Sequence, residues 1–530
     1  MPEIDVKALL ELIIGLLLVV VLLATLARKI GIPYPILLVL GGLGLALVPG
    51  VPQVELNPDL VLLLFLPPLL YADAWEMSWR DFRANKRAIA QLSIGLVFTT
   101  VLVVGWTVHA LIPRMPWAVA FALGAIVSPT DAVAAAAIAK QVGLPRKIVA
   151  ILEGESLVND ASALVAYRFA VAAVATGAFS VAGAALTFAW VVVGGVVVGL
   201  AGGWVLAQFS KRIADPYILI LFSLVSPYLV WLPAEALQAS GVLAAVTAGL
   251  FMGYRAPRIL RAEARIPAYA VWETWVLLLN GLAFILLGLQ LRTVVEGFER
   301  GRLASMVGLG LLVTLAVMVV RIIWVYPSAI IPRVLIPAIA RKDPLPTLRA
   351  LFIVGWSGMR GVVSLATALA LPLTVRNGAH FPYRAELIFI AFVVVLVTLL
   401  LQGLTLTPLI RLLHVTDDGG AEREEQHARL TAVKAGQQRV LALLDEPWIP
   451  RARAEALHQS LEERRIRLEE KARQGSAAEK GTGEGYRRLM RELIEAQRAA
   501  LIQLRDQGVI SDEVLHRIEF QLDVEEARVT

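Results

Sequence analysis

Apolar runs of about 20 residues recur along the first 413 positions of this chain, with short polar connections between them. At 1.5 Å per residue, such a run is the length of helix needed to cross a hydrocarbon core of about 30 Å. They fall at about 7–27, 30–48, 59–75, 88–111, 117–139, 148–172, 184–208, 216–232, 238–254, 268–291, 303–325, 350–372 and 385–413, the third and eighth being short. The pattern predicts an all-α polytopic membrane protein with about thirteen transmembrane helices.

Beyond 413 the pattern changes. Asp417-Asp418-Gly419-Gly420 reads as a linker into a segment rich in Glu, Arg, Ala and Leu. Arg464–Arg473 and Arg487–Arg505 place Leu, Ile and Met at helical spacing among charges, and Gln474-Gly475-Ser476 through Gly485 is a flexible break. The expected division is a transmembrane domain over 1–415 and a cytoplasmic helical region over 416–530. Packing and self-association are the tasks its charged helices suggest, ahead of ligand sensing.

Composition supports the membrane class. Hydrophobic residues make up 58% and charged residues 17%, where a soluble protein carries roughly a quarter charged residues. With no cysteine, disulfides, thiolate metal sites and cysteine nucleophiles are excluded. The net charge of +6 is informative through its distribution: residues 1–413 hold 30 Lys/Arg against 20 Asp/Glu, and 414–530 hold 19 against 23. No nucleic-acid partner is expected, because the basic excess sits on the membrane part. One set of alternating loops carries 20 Lys/Arg and the other 7. The bias predicts a multi-pass protein with its N-terminus outside and its C-terminus in the cytoplasm. The first apolar run opens with Glu3, Asp5 and Glu11, so no cleavable signal is expected.

Against this background a few polar residues stand in the wrong solvent. Ser128-Pro129-Thr130-Asp131 interrupts the fifth run at its centre, Glu153-Gly154-Glu155-Ser156-Leu157-Val158-Asn159-Asp160 lies in the sixth, and Arg360 marks the centre of the twelfth. Charge at bilayer depth is costly and usually functional or paired. Proline removes a backbone donor and disfavours helix before it, freeing carbonyls that can bind a small hard cation beside carboxylates and a hydroxyl. The fifth and twelfth runs are seven apart, the offset of two inverted six-helix repeats joined by one linking helix, and interrupted helices in matching positions mark a transporter's binding site.

Ser156 and Asp160 share a helix face, being four apart. Glu155, about 140° round from Asp160, must face another partner, and Arg360 is the expected one. Asp160, Ser156 and Asp131 are accordingly assigned to the ion, Glu155 and Arg360 to architecture. Asp131 has a second reading as the N-cap of the half-helix after it. Asn159 could stitch helices or touch the ion, and Glu153 could line an access funnel or simply be solvated. Asp73 and Glu76 sit at a helix end after Pro67-Pro68, where solvated charge is ordinary. Arg168, Glu273 and Arg321 are assigned structural pairing only.

These residues resemble the monovalent cation:proton antiporter family of bacterial NhaP-type antiporters and eukaryotic sodium–proton exchangers. The matching pieces are Ser128 to Asp131, Gly154 to Asp160, Leu279-Asn280-Gly281 through Leu287-Gly288-Leu289-Gln290, and Gly358-Met359-Arg360-Gly361. The resemblance implies thirteen helices, a homodimer in the cell membrane, two crossed broken helices, and a core that moves against a dimerisation domain. It also implies that Asp160 carries cation and proton in turn, that Ser156, Asp131 and the Thr130 carbonyl are further sodium ligands, and that Glu155 pairs with Arg360. Asp73 resembles a further acidic position near the funnel. Asn159, where an electrogenic branch carries aspartate, implies exchange of one sodium (or lithium) for one proton, serving pH and sodium homeostasis. No resident cofactor and no enzyme activity are expected, sodium being cargo. Potassium/proton exchange is the nearest alternative. A cation channel is a rival from another class, as is an intramembrane hydrolase using Asp131 and Asp160.

Overall fold

A computed structural model describes residues 6–49, 58–176, 181–296, 298, 300–375, 378–415, 419–444, 446, 449–474, 482–507, 509, 514, 515, 518 and 522. The chain divides into two compact units, Met1–Asp417 and Asp418–Thr530.

The first unit is helical throughout its spans, because backbone groups inside a bilayer have only each other to bond. In order come α1 (Val6–Ile30), α2 (Tyr34–Ala46), α3 (Pro58–Glu76), α4 (Trp79–Ala90), a π-helical stretch (Gln91–Leu96) and α5 (Val97–Leu111). Then follow α6 (Trp117–Val127), α7 (Ala132–Val142), α8 (Arg146–Thr176), α9 (Val181–Ser210), α10 (Pro216–Ala236), α11 (Gly241–Ile259) and α12 (Ala262–Glu296). The unit closes with α13 (Arg300–Leu335), α14 (Pro337–Lys342), α15 (Leu348–Trp356), α16 (Val362–Leu369) and α17 (Arg384–Leu413).

All thirteen expected runs fall on helices, and eight helices among the described residues are by themselves long and apolar enough to cross a membrane. Their outward faces are greasy, with Leu22 67% and Ile323 63% exposed, as a lipid-facing surface requires. Expected loops are helix in part: α14 falls between the eleventh and twelfth runs, and α4 carries the basic residues Arg80 to Arg87. Ser78 caps it by accepting from the Asp81 amide at 3.3 Å, and its first turns lie beyond the apolar run, where charged residues can be solvated. The π stretch after it frees the Gln91 carbonyl, which takes the Trp324 indole N–H at 3.0 Å.

Two spans are broken, the fifth and the twelfth of the thirteen. The α6–α7 pair stops at Ser128-Pro129-Thr130-Asp131 and the α15–α16 pair at Ser357 to Gly361. Elsewhere close helix approach depends on glycine. A Cβ on Gly42 of α2 would sit 2.3 Å from the Ile285 carbonyl oxygen of α12, and one on Gly288 of α12 would sit 2.4 Å from that of Val39.

The second unit contains α18 (Gly420–Ala442), α19 (Arg451–Gln474) and α20 (Thr482–Asp506), so the helices extend well beyond the two short segments expected from spacing. Val433 on α18 and Ala454 on α19 are buried. The expected linker residues Asp417 and Asp418, and positions 475–481 of the expected break, lie outside the described residues.

Candidate functional site

The two breaks cross, and each supplies what the other lacks. Where a helix stops, the departing half ends in unpaired carbonyls and the next half begins with unpaired amides, with partial charges to match. Asp131 caps α7: its Oδ1 accepts from the Val133 amide at 2.8 Å, the N-cap geometry that was one of its two readings. Its own amide donates across the crossing to the Met359 carbonyl at 2.8 Å. Ser128 Oγ returns to the Ala125 carbonyl at 3.0 Å. Arg360, from the other break, donates through Nε to the Val127 carbonyl at 3.1 Å and through Nη1 to that of Gly358. Its guanidinium thus serves the carbonyl ends of α6 and α15, where a helix dipole favours a cation. The Arg360 amide is held by Thr398 Oγ1 at 3.2 Å.

The crossing leaves no room for a side chain at position 361. A Cβ there would fall 1.8 Å from Asp131 Oδ2, so glycine is required by contact.

Here the expected Glu155–Arg360 pair fails. Glu155 is bound by Arg321 of α13, bidentately, with Nη2 to Oε2 at 2.8 Å and Nη1 to Oε1, and both side chains are fully buried. Arg321 Nη2 also donates to the Val354 carbonyl at 3.1 Å. The reason is geometric: α13 presents its arginine directly to this face of α8, while the unwound backbone turns Arg360 onto carbonyls. Arg321 is therefore structural, as expected, and its partner is Glu155. Arg168 is also paired, with Glu235 at 2.8 Å.

From Glu155 a polar chain runs to the break. Thr130 Oγ1 donates to Glu155 Oε1 at 3.1 Å, and Asn159 Nδ2 donates to Thr130 Oγ1 at 2.7 Å. Asn159 therefore joins helices, the first of its two readings, although its Oδ1 is buried without a partner. Ser156 Oγ bridges the break, donating to the Thr130 carbonyl at 2.9 Å and accepting from the Ala132 amide at 3.2 Å.

One turn on, Asp160 is buried and has no hydrogen bond or ion pair among the described residues. It lines a cavity of about 50 Å³ together with Asp131, Ser156, Thr130 and Asp73. The structure thus brings Asp160, Asp131, Ser156, Thr130 and Asp73 together. Glu155, Asn159, Arg360 and the half-buried Glu153 are not among the lining residues. Two further polar residues line the cavity without a role in the sequence pattern. Asn280 on α12 is buried there, and Ser364 in the first turn of α16 places a buried hydroxyl without a partner at the cavity. The only sequence signals were a polar residue in an apolar helix and proximity to Gly361.

A bundle of apolar helices in which two broken spans cross at a small acidic cavity is the architecture of a secondary transporter. Residues 15–412 match the family described as sodium/hydrogen exchanger, transmembrane, and the chain belongs to that family. A Mycobacterium tuberculosis protein described as an uncharacterized Na(+)/H(+) exchanger is 34% identical over 529 residues, covering 98% of this chain and 97% of its own. The sodium, potassium, lithium and rubidium/H(+) antiporter of Bacillus subtilis is 35% identical over 390 residues, 71% of this chain and 57% of that one. The sodium proton antiporter MjNhaP1 from Methanocaldococcus jannaschii superposes with a TM-score of 0.59 at 20% identity, covering 77% of this chain and 99% of that one. At that identity the likeness is one of fold.

Proposed function

We propose that this chain exchanges sodium or lithium for protons, one for one, by alternating access around Asp160. The observation that carries the reading is the Asp160 carboxylate, buried in the middle of α8 without a protein partner among the described residues and lining a cavity with two further oxygen-rich residues, Asp131 and Ser156. One carboxylate can be neutralised by a proton or by a cation, and only the neutral site crosses the low-dielectric barrier cheaply. Protonated and cation-loaded forms move, the bare anion does not, and exchange is obligatory. Asp131, Ser156 and the Thr130 carbonyl complete the sodium ligands, and Asp73 stands toward the mouth. Asp131 caps the α7 amides, and Asp160 is the single carboxylate neutralised per cycle. The protein sits in the cell membrane as a homodimer, N-terminus outside and C-terminus in the cytoplasm, and serves pH and sodium homeostasis.

The test is dye-quench transport in proteoliposomes across a panel of alkali cations. Sodium and lithium should drive proton movement, and Asp160→Asn should abolish it while leaving a folded, membrane-inserted protein. Near-normal exchange in that variant overturns the reading, as would single-channel currents from the wild type. Flux should be insensitive to an imposed potassium–valinomycin potential; a steep rise with voltage would mean a second titrating group, with Asp131 the first suspect. Potassium exchange is a second reading, favoured by the description of the Bacillus subtilis relative as a sodium, potassium, lithium and rubidium/H(+) antiporter. The same panel separates the two.

A further inference from the structure

The end of the bundle that carries the basic loops holds a second cavity, away from Asp160. Three helices bring cations to one carboxylate there. Arg87 of α4 donates through Nη2 to Asp343 Oδ2 at 3.0 Å. Arg333 of α13 donates through Nη2 to the same oxygen at 2.7 Å and through Nε to the Asp343 carbonyl at 2.9 Å. Lys147 of α8 reaches Oδ1 at 2.5 Å. The remaining donor of Arg333, Nη1, goes to the Ala329 carbonyl at 2.5 Å. Three positive groups thus share one negative group. Arg87 Nη1 is buried with no hydrogen-bond partner, a costly state for a charged donor unless a ligand completes it.

Beside these side chains lies a cavity of about 80 Å³, walled on its inner side by Leu92, Ile148, Ile151 and Val354. The chain around it is apolar outward: Leu335 is 73% exposed, Leu348 60%, and Ile336 and Leu345 49% each. In a membrane protein such residues belong among acyl chains, which sets the charged mouth at headgroup depth. A solvated basic loop would need neither the apolar wall nor the greasy rim.

We propose that this cavity binds the phosphate of an anionic phospholipid headgroup. Arg87, Lys147 and Arg333 are its donors, and the Leu335 and Leu348 surface lies against its acyl chains. The excess charge selects an anion, and the rim selects a lipid over free phosphate. A lipid held there ties together the ends of α4, α8 and α13, so it should raise thermal stability.

The experiment melts the full-length protein in detergent with added phosphatidylglycerol, phosphatidylcholine or inorganic phosphate. Phosphatidylglycerol should raise the midpoint of the wild type more than phosphatidylcholine does. In the double variant Arg87→Gln/Lys147→Gln the apparent affinity for phosphatidylglycerol should fall by about fivefold or more for each charge removed. Asp343→Asn should have the opposite sign and strengthen the response, because it removes the competing anion. It keeps the test decisive where the double variant fails to fold. Equal responses to the two lipids, or an Asp343→Asn response unchanged or weakened, overturn the proposal. An inorganic phosphate shift equal to that of phosphatidylglycerol overturns the lipid as source and leaves the anion site. The readout is binding, so failure here leaves the exchange reading untouched.

Discussion

Arg321 holds Glu155 in the membrane unit, and Arg465 holds Glu462 and Glu469 in the second unit. The chemistry is the same, arginine forks on carboxylates at hydrogen-bond distance. The surroundings are opposite. Arg321 and Glu155 are 0% and 1% exposed, whereas Arg465, Glu462 and Glu469 are 27%, 38% and 28% exposed. In the first case neither ion has water to fall back on, so each exists only because the other does. In the second, water and salt compete at every moment. What an ion pair does for this protein is decided by its neighbours, and the two can be driven apart experimentally.

The largest effect should come from splitting the buried pair. Glu155→Gln or Arg321→Ala leaves an uncompensated buried charge, at a cost of about 3–5 kcal/mol. Melting each single variant and the double tests it: the double should cost less than the sum, because its second change removes a charge that the first left stranded. Additive losses would mean that the two side chains do not depend on each other. The same melts separate Arg321 from Arg360. Arg360→Ala loses bonds from a charged donor to carbonyls, about 1.5–3 kcal/mol, and should couple to Glu155→Gln less strongly than Arg321→Ala does.

That distinction marks where sequence reasoning stops. Asp160 and Arg360 could be found from depth alone, because each sits at the centre of an apolar run, and Glu155 could be found as a carboxylate in the same run as Asp160. Partner choice could not. Arg321 and Arg360 are both arginines inside apolar runs, and which one meets Glu155 depends on how α13 lies against α8 and on how the second break unwinds. The cap at Asp131 was one of two readings, and both uses of that side chain are compatible: one oxygen takes the Val133 amide, and the residue still lines the cavity. Helices survive translation from pattern to structure because their hydrogen bonds are local. The crossing is a long-range contact, and only its parts were visible. The expected basic loop that became α4 shows the complementary error, a helix continuing past its apolar stretch because Ser78 caps it in water.

A smaller effect should follow from crowding the crossing. In Gly361→Ala the new methyl meets Asp131 Oδ2, and one of the two must move. Overpacking of this kind costs about 1–3 kcal/mol. The variant should also lose transport more than it loses stability, since the atom displaced belongs to the cavity lining. Measuring melting and sodium-driven proton flux on the same preparation checks this. Wild-type flux with a lowered midpoint would show that Asp131 need not stay where it is.

The smallest effect belongs to the exposed pair, and its value lies in how it disappears. Hydrogen bonds from Arg465 and Gln437 pull Glu462 down to about 2. A carboxylate held below its ordinary value of about 4.3 contributes stability that is fully present above that value. The contribution fades as pH falls between the two and is gone below about 2. At neutral pH it is present but slight, as exposed pairs generally are. Arg465→Ala in the full-length chain should therefore leave the melting midpoint unchanged. It should lower hydrogen-exchange protection only in α19 and only at low ionic strength. Choline chloride is the right screening salt, because it adds no transported cation. At 1 M the Debye length is about 3 Å, and the difference between variant and wild type should vanish, while the loss in Arg321→Ala should persist undiminished. An Arg465→Ala difference that survived 1 M choline chloride would mean that water does not reach this pair, and the contrast between the two regions would collapse.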